Sequence, residues 1–186
     1  MKKFLCLLMT TFMLFGCAEI TESSKADSVK IAESHNEING VSSFESFDEF
    51  FSSDICAKMK EEGFTPRALN YDSEKYELMG IESDSHFYDI TLKDIKTNEL
   101  IIYTVTYDYN HNTSQNVQAE GNVSTVSAEK NGESYDLRIE NQNGYSLSYD
   151  LNAGYKVTIN RTDNNTTQDE ILEYFDDFEL VETQEE

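Results

Sequence analysis

Leu100-Ile101-Ile102-Tyr103-Thr104-Val105-Thr106-Tyr107-Asp108-Tyr109 sets Ile101, Tyr103, Val105, Tyr107 and Tyr109 on one face. A period of two is that of a β-strand with one buried side, so the stretch predicts a strand in a sheet whose apolar face needs covering. The same period recurs on both sides of it. Tyr76, Leu78 and Gly80 alternate with Glu77, Met79 and Ile81, and Tyr88, Ile90 and Leu92 with Asp89, Thr91 and Lys93. Downstream, Val123 to Glu129 alternates, as do Tyr135, Leu137 and Ile139 against Asp136, Arg138 and Glu140. Gly144-Tyr145-Ser146-Leu147-Ser148-Tyr149 is then echoed by Gly154-Tyr155-Lys156-Val157-Thr158-Ile159, as hairpin repetition would produce. Turns at Asn131-Gly132, Asn143-Gly144 and Asn152-Ala153-Gly154 offer the positive φ that tight hairpins require. Asn110 to Asn122 is polar and aperiodic, a long loop by the norms of compact domains. The pattern predicts an antiparallel meander of about six to seven strands with one apolar face.

The sheet is flanked by stretches of helical period. In Phe44 to Glu62, Phe47, Phe50, Phe51, Ile55 and Met59 recur at three and four residues, and Ser46 followed by Glu49 fits a capping box. Ser52-Ser53-Asp54 supplies a second cap and divides the stretch into two short helices. Gly63 ends it, and Pro66 keeps the residues beyond it out of a helix. Near the other end, Thr167 and Glu170 form a second capping box, with Asp169 placing negative charge at the helix N-terminus. Ile171, Leu172, Phe175 and Phe178 form the apolar side, and Phe178-Glu179-Leu180-Val181 reads as a short strand or an extended tail. Helices this short do not persist alone, so both are expected to cover the sheet.

The N-terminus has a different character. Lys2 and Lys3 precede an apolar run from Phe4 to Phe15, too short to span about 20 residues' worth of bilayer but suited to the core of an export signal. Leu14-Phe15-Gly16-Cys17 resembles the lipobox of bacterial lipoproteins, with Phe15 bulkier than that position usually holds. The resemblance implies cleavage before Cys17 and acylation of its thiol, and two or more buried chains make anchoring stable. Residues 1–16 are then a lipoprotein signal peptide and 17–43 a flexible linker. That linker is rich in Ser, Glu and Asn, with a span of roughly 30 Å. Residues 44–186 form a single domain, held outside the cell membrane.

Charge and cysteine content narrow the partners. The 186-residue chain has 36 acidic against 14 basic residues, a formal charge of −22, and loss of Lys2 and Lys3 makes it more negative still. Such a surface repels nucleic-acid backbones and anionic headgroups. It favours a cationic protein or peptide, a cell-wall component or a divalent cation, with the membrane reached through Cys17. Cys6 leaves with the signal and Cys17 is consumed by lipid, so Cys56 remains alone and is read as a small buried hydrophobe.

Catalytic signatures are sparse. Acidic residues abound with nothing to select a glycosidase pair. His35, His86 and His111 stand in no recognised catalytic arrangement, although His86 adjoins Ser85, and nucleophile elbows, zinc-helix pairs and phosphate-cradling glycines do not occur. Calcium is the one cofactor worth weighing. Asp108, Asn110, Asn112 and Ser114 place oxygens at alternate positions, as do Asp163, Asn165, Thr167 and Asp169. Neither run carries the glycine and glutamate of a helix-loop-helix site. Tyr103, Tyr107, Tyr109, Tyr135, Tyr145, Tyr149 and Tyr155 fall in phase with aliphatic neighbours. Tyr103, Tyr107, Tyr145, Tyr149 and Tyr155 become groove candidates wherever the helices leave the sheet uncovered, since tyrosine buries area and keeps a polar handle.

Phe47 to Phe64 with Pro66, the strands at Tyr76, Tyr88 and Tyr103, and Gly154-Tyr155-Lys156-Val157 followed by Thr167-Gln168-Asp169-Glu170-Ile171-Leu172 together cover most of the domain. In this order they resemble a group of uncharacterised extracytoplasmic lipoproteins and sigma-factor-associated proteins of Gram-positive bacteria, especially clostridia. The resemblance implies a curved antiparallel sheet with helices at its ends and no established catalytic residue. The expectation is therefore an α+β domain, lipid-anchored and extracytoplasmic, that binds or scaffolds without catalysing. The alternatives are a calcium-, glycan- or peptide-binding lipoprotein using a tyrosine-lined sheet face, and, after it, a small hydrolase.

Overall fold

The computed structural model describes residues 40–107, 122–142, 144–151, 154–163 and 165–182. Cys17, the signal and most of the linker lie outside the described residues. The fold is α+β. In chain order the elements are β1 (Ser42–Phe44), α1 (Phe47–Phe51), α2 (Asp54–Glu61), β2 (Ala68–Asn70), β3 (Tyr76–Ser83), β4 (Phe87–Asp94) and β5 (Leu100–Tyr107). They continue with β6 (Asn122–Lys130), β7 (Glu133–Asn141), β8 (Tyr145–Leu151), β9 (Tyr155–Arg161), α3 (Gln168–Asp177) and β10 (Glu179–Val181).

Among the described residues, eight strands form one antiparallel sheet in the order β1-β3-β4-β5-β9-β8-β7-β6, and β10 pairs with β2 in a separate two-stranded ribbon. The expected curved meander of about six to seven strands is corrected in count, connection and shape. Two runs of hairpins, β3-β4-β5 and β6-β7-β8-β9, join through β5 and β9 rather than β5 and β6, with Tyr103 opposite Ile159 and Val105 opposite Val157. The sheet stays open, with β1 and β6 at its edges, because helices rather than closure cover its apolar face. The additional edge strand β1 comes from Ser42 and Ser43, at the end of the stretch read as linker, and from Phe44, read as the start of a helix.

Burial follows the alternation. Tyr88, Ile90, Leu92, Ile101, Tyr103, Val105, Val157, Ile159, Leu147, Leu137 and Ile139 are all buried and lie on one face in register. The opposite face carries Thr91, Thr104, Thr158, Ser146 and Ser148, as expected for an antiparallel sheet wet on one side. One strand breaks phase. The register of β3 shifts between Leu78 and Gly80, which leaves Met79 51 % exposed while Ile81 is buried. Gly80 is required there, since its φ is +155° and a Cβ would meet the Phe44 carbonyl oxygen at 3.3 Å.

The helices form where their caps place them. Ser46 accepts from the Glu49 N–H and Ser53 from the Cys56 N–H, so the predicted division into two helices is observed. At the end of α2, the Phe64 N–H donates to the Met59 carbonyl (2.9 Å) and the Gly63 N–H to that of Lys60 (3.1 Å). This is the Schellman arrangement, with Gly63 at φ +86°. It drives Phe64 into the core against Tyr88, Tyr107 and Tyr155, while Phe50 packs on Tyr88. At the other end of the sheet, Phe175 of α3 meets Tyr149, and Phe178 meets Tyr76 and Tyr103. All three helices therefore pack on the aromatic face. Among the described residues, no helix is long and apolar enough to cross a membrane.

Two core tyrosines owe their hydroxyls to the chain around Pro66. Tyr155 accepts from the Thr65 N–H (3.0 Å) and donates to the Thr65 carbonyl (3.3 Å); Tyr88 does the same for Arg67, at 3.0 and 3.1 Å. This segment has no strand partner for those groups, and side chains supply it. Tyr88→Phe strands both Arg67 groups away from water, and is expected to cost about 1–3 kcal/mol in urea unfolding. A loss below about 0.5 kcal/mol would show that the clamp does not operate.

Candidate functional site

The turn after β6 begins the site. Asn131 (φ +54°) and Gly132 (φ +79°) form the tight hairpin that the Asn-Gly pair predicts. This turn holds Lys130 beneath the end of α3, a helix with no basic residue in its last turn. Lys130 Nζ donates to the carbonyls of Phe175, Asp176 (3.1 Å) and Phe178 (2.7 Å), and lies 5.0 Å from the centre of the Phe175 ring. A strand lysine thus satisfies the unpaired carbonyls of the helix terminus and complements its dipole. Burial pulls the Lys130 pKa below its ordinary value, against the opposing effect of Asp176, Glu179 and Asp177. Asn131 Nδ2 donates to Glu179 Oε1 at 2.5 Å, tying the same turn to β10.

Beside this junction lies a cavity of about 350 Å³, lined by Tyr135, Tyr149, Phe175, Leu151, Leu180 and Arg67, with Lys130, Glu133 and Glu179 also at its wall. Tyr135, Tyr149 and Phe175 meet edge to face, with ring centres 5.2–5.7 Å apart. Tyr149 shares a buried hydrogen bond with Tyr103 (2.9 Å between hydroxyls), and burial pushes its pKa up to about 12, so it remains neutral. The Tyr135 hydroxyl donates to Glu133 Oε2 at 2.8 Å. Arg67 lies over the Tyr155 ring at 5.4 Å and pairs with Glu182 at 3.5 Å. The cavity joins an aromatic wall to groups of both charge signs. Such a concave surface can hold a small polar ligand by stacking and hydrogen bonds.

Of the five groove candidates, Tyr149 reaches this cavity. Tyr103 is buried behind it against Tyr149 and Phe178, Tyr155 is buried against Phe64, Tyr107 stacks on Phe64 at 5.4 Å, and Tyr145 is half-buried at the start of β8. Tyr135 lines the cavity and was legible only as one of several tyrosines in phase. Phe175 is legible as part of the apolar side of the C-terminal helix, but as cavity residues it, Arg67 and Lys130 carry no sequence signal, because each gains that role from an element distant in sequence.

The calcium candidates fall in two places. Asp108, Asn110 and Asn112 lie outside the described residues. Asp163 accepts from Arg161 (2.6 and 2.8 Å) and from the Asn165 N–H (3.2 Å), whereas Asn165 and Asp169 are exposed. Among the described residues, no group of three or more His, Cys, Asp or Glu side chains is placed to hold a metal. Cys56 is buried and burial raises its pKa, the setting of an inert thiol. His86 is 66 % exposed, and Ser85 Oγ (3.1 Å) and Asp84 Oδ1 (3.7 Å) approach the same ring nitrogen, Nδ1. A nucleophile–base–orienter relay needs them on opposite nitrogens.

A second cavity of about 390 Å³ lies at the N-terminal end of α3, lined by Tyr76, Tyr174, Ile95, Lys75, Glu170 and Arg161. Its Arg161 side chain is 4 % exposed and contacts Glu99 (2.5 Å), Asp163 (2.6 Å) and Glu170 (3.3 Å). This cation is committed to fixing the start of α3 against β9 and the β4–β5 turn. Comparison of the chain with family models, with curated proteins and with solved structures returns no match.

Proposed function

We propose that this chain is a lipid-anchored extracytoplasmic binding or scaffolding protein without catalytic activity, whose sheet domain takes a glycan or short peptide in the tyrosine-lined cavity. The observation that carries the reading is the meeting of Tyr135, Tyr149 and Phe175 with Arg67 and Glu133 around one concave volume. The half-buried Tyr135 ring supplies contact area, backed by the buried Tyr149 and Phe175, while the mixed charges suit a ligand bearing both amine and carboxylate groups. Peptide-bearing glycan fragments of a cell wall have that chemistry. The net charge of −22 adds a bias toward basic ligands. Anchoring through Cys17 follows from the lipobox resemblance and would hold the domain at the outer face of the cell membrane.

Thermal shift of the chain against muropeptides, neutral glycans and cationic peptides tests the binding half. At least one class is expected to raise the melting temperature, and Tyr135→Ala should weaken that ligand about tenfold, the loss of one good aromatic contact. No shift with any class, or a shift indifferent to Tyr135→Ala, would remove the cavity from the account. Membrane fractionation of Cys17→Ser tests the anchor: release from the membrane fraction is expected, and unchanged retention would refute lipidation.

A further inference from the structure

The two edges of the main sheet are built differently. β1 covers only three residues of β3, and β3 itself is bulged at Leu78/Gly80. Short or bulged edges do not invite further pairing. At the opposite edge, β6 pairs with β7 in unbroken register over nine residues, from Asn122↔Asn141 to Lys130↔Glu133. Among the described residues, nothing pairs with its outer side. Asn122-Val123-Ser124-Thr125-Val126-Ser127-Ala128 contains no charge, no proline and no bulge, and Val123 is 41 % exposed. In a chain of net charge −22, this is a long straight edge without the usual protection.

We propose that β6 is a self-association surface: the β6 strands of two copies pair antiparallel about a two-fold axis at Thr125, joining two sheets edge to edge. A second copy is the occupant that the charge pattern favours. Elsewhere two copies meet as like-charged acidic surfaces, while a cationic partner finds its complement on those surfaces rather than on an uncharged strand. A two-fold axis perpendicular to the sheet keeps each face on its own side, so residues of the same parity must oppose one another. With the axis at Thr125, Val123 faces Ser127, Ser124 faces Val126 and Asn122 faces Ala128, with no charge in the paired stretch. An axis one residue further along would set Glu129 opposite Val123 and draw in Lys130, whose ammonium is committed to the end of α3.

Cross-linking of the full chain tests both the contact and its register. Directly opposed residues of antiparallel strands have Cα atoms about 4.5–5.5 Å apart, within disulfide reach. Two copies of residue 127 would stand about 14 Å apart, beyond it. Thr125 and Ser127 are both exposed, so cysteine at either position leaves the core intact. Under mild oxidation, Thr125→Cys is expected to form disulfide-linked dimers about tenfold faster than Ser127→Cys, with the unsubstituted chain as background for the native cysteines. The double variant Val123→Cys/Ser127→Cys should restore rapid linkage. Equal slow linkage of Thr125→Cys and Ser127→Cys, or no gain for the double variant, would overturn the proposal.

Discussion

Arg161→Met is expected to destabilise the domain by about 1.5–3 kcal/mol at neutral pH, the cost of losing the charged hydrogen bonds of a buried guanidinium whose carboxylate partners still reach water. The Arg161 side chain is 4 % exposed and sits among Glu99, Asp163 and Glu170. Methionine keeps most of the volume but leaves the carboxylates without their counter-ion. Burial works against the Arg161 charge, yet hydrogen bonds with Asp163 and Tyr174 prevail and hold its pKa above the ordinary value. Conversely, the Arg161 hydrogen bond lowers the pKa of Asp163, and hydrogen bonds from Thr167, aided by Arg161, lower that of Glu170. Carboxylates with depressed folded-state pKa values contribute stability above their unfolded values, near 4, and lose it as pH falls through the folded ones. The parent should therefore lose stability on acidification below about pH 4. The deficit of Arg161→Met should narrow over the same range. Urea unfolding at pH 7 and pH 3 measures both; a deficit below about 1 kcal/mol at pH 7, or one that widens in acid, contradicts this reading.

Phe64→Ala should cost more, about 3–5 kcal/mol, and lower the melting temperature by about 10–15 °C. Phe64 is fully buried, with ring centres 5.4–5.7 Å from Tyr107, Tyr155 and Tyr88. It is also the residue that the Schellman turn after α2 delivers to the sheet, so truncation opens a cavity where helix, Pro66 segment and sheet meet. Met79→Ala supplies the contrast. Although large and apolar, Met79 lies outside the core at the bulge, and its loss should change stability by less than about 0.5 kcal/mol. Thermal unfolding followed by circular dichroism separates the two, and equal effects would mean that the core has been assigned to the wrong face.

Much of this architecture is local and therefore legible in the sequence. Ser46, Ser53 and Thr167 cap the helices as their spacing predicts, because a cap depends on residues three positions away. Strands β4, β5, β8 and β9 follow from alternation and the glycine-bearing turns. The pairing of β5 with β9 does not, since periodicity says which face is buried but not which strand lies alongside. Ser42 and Ser43 have no strand signal of their own and pair because β3 offers them an edge. The bulge at Leu78/Gly80 defeats a strict period of two, reversing the face expected of Met79 relative to Ile81. For the site, the tyrosine phase was visible, but the choice among tyrosines depends on where α3 ends. That end is fixed by Lys130, 38 residues before the helix begins.

The most direct test is to follow backbone and tyrosine-ring NMR signals of the chain while titrating a muropeptide. Binding in the cavity predicts saturable shifts at Tyr135, Tyr149, Arg67 and Leu180, with the Thr104, Thr158 and Ser148 face unmoved. Shifts confined to that hydroxyl-bearing face, or none at concentrations where the thermal shift appears, would contradict it.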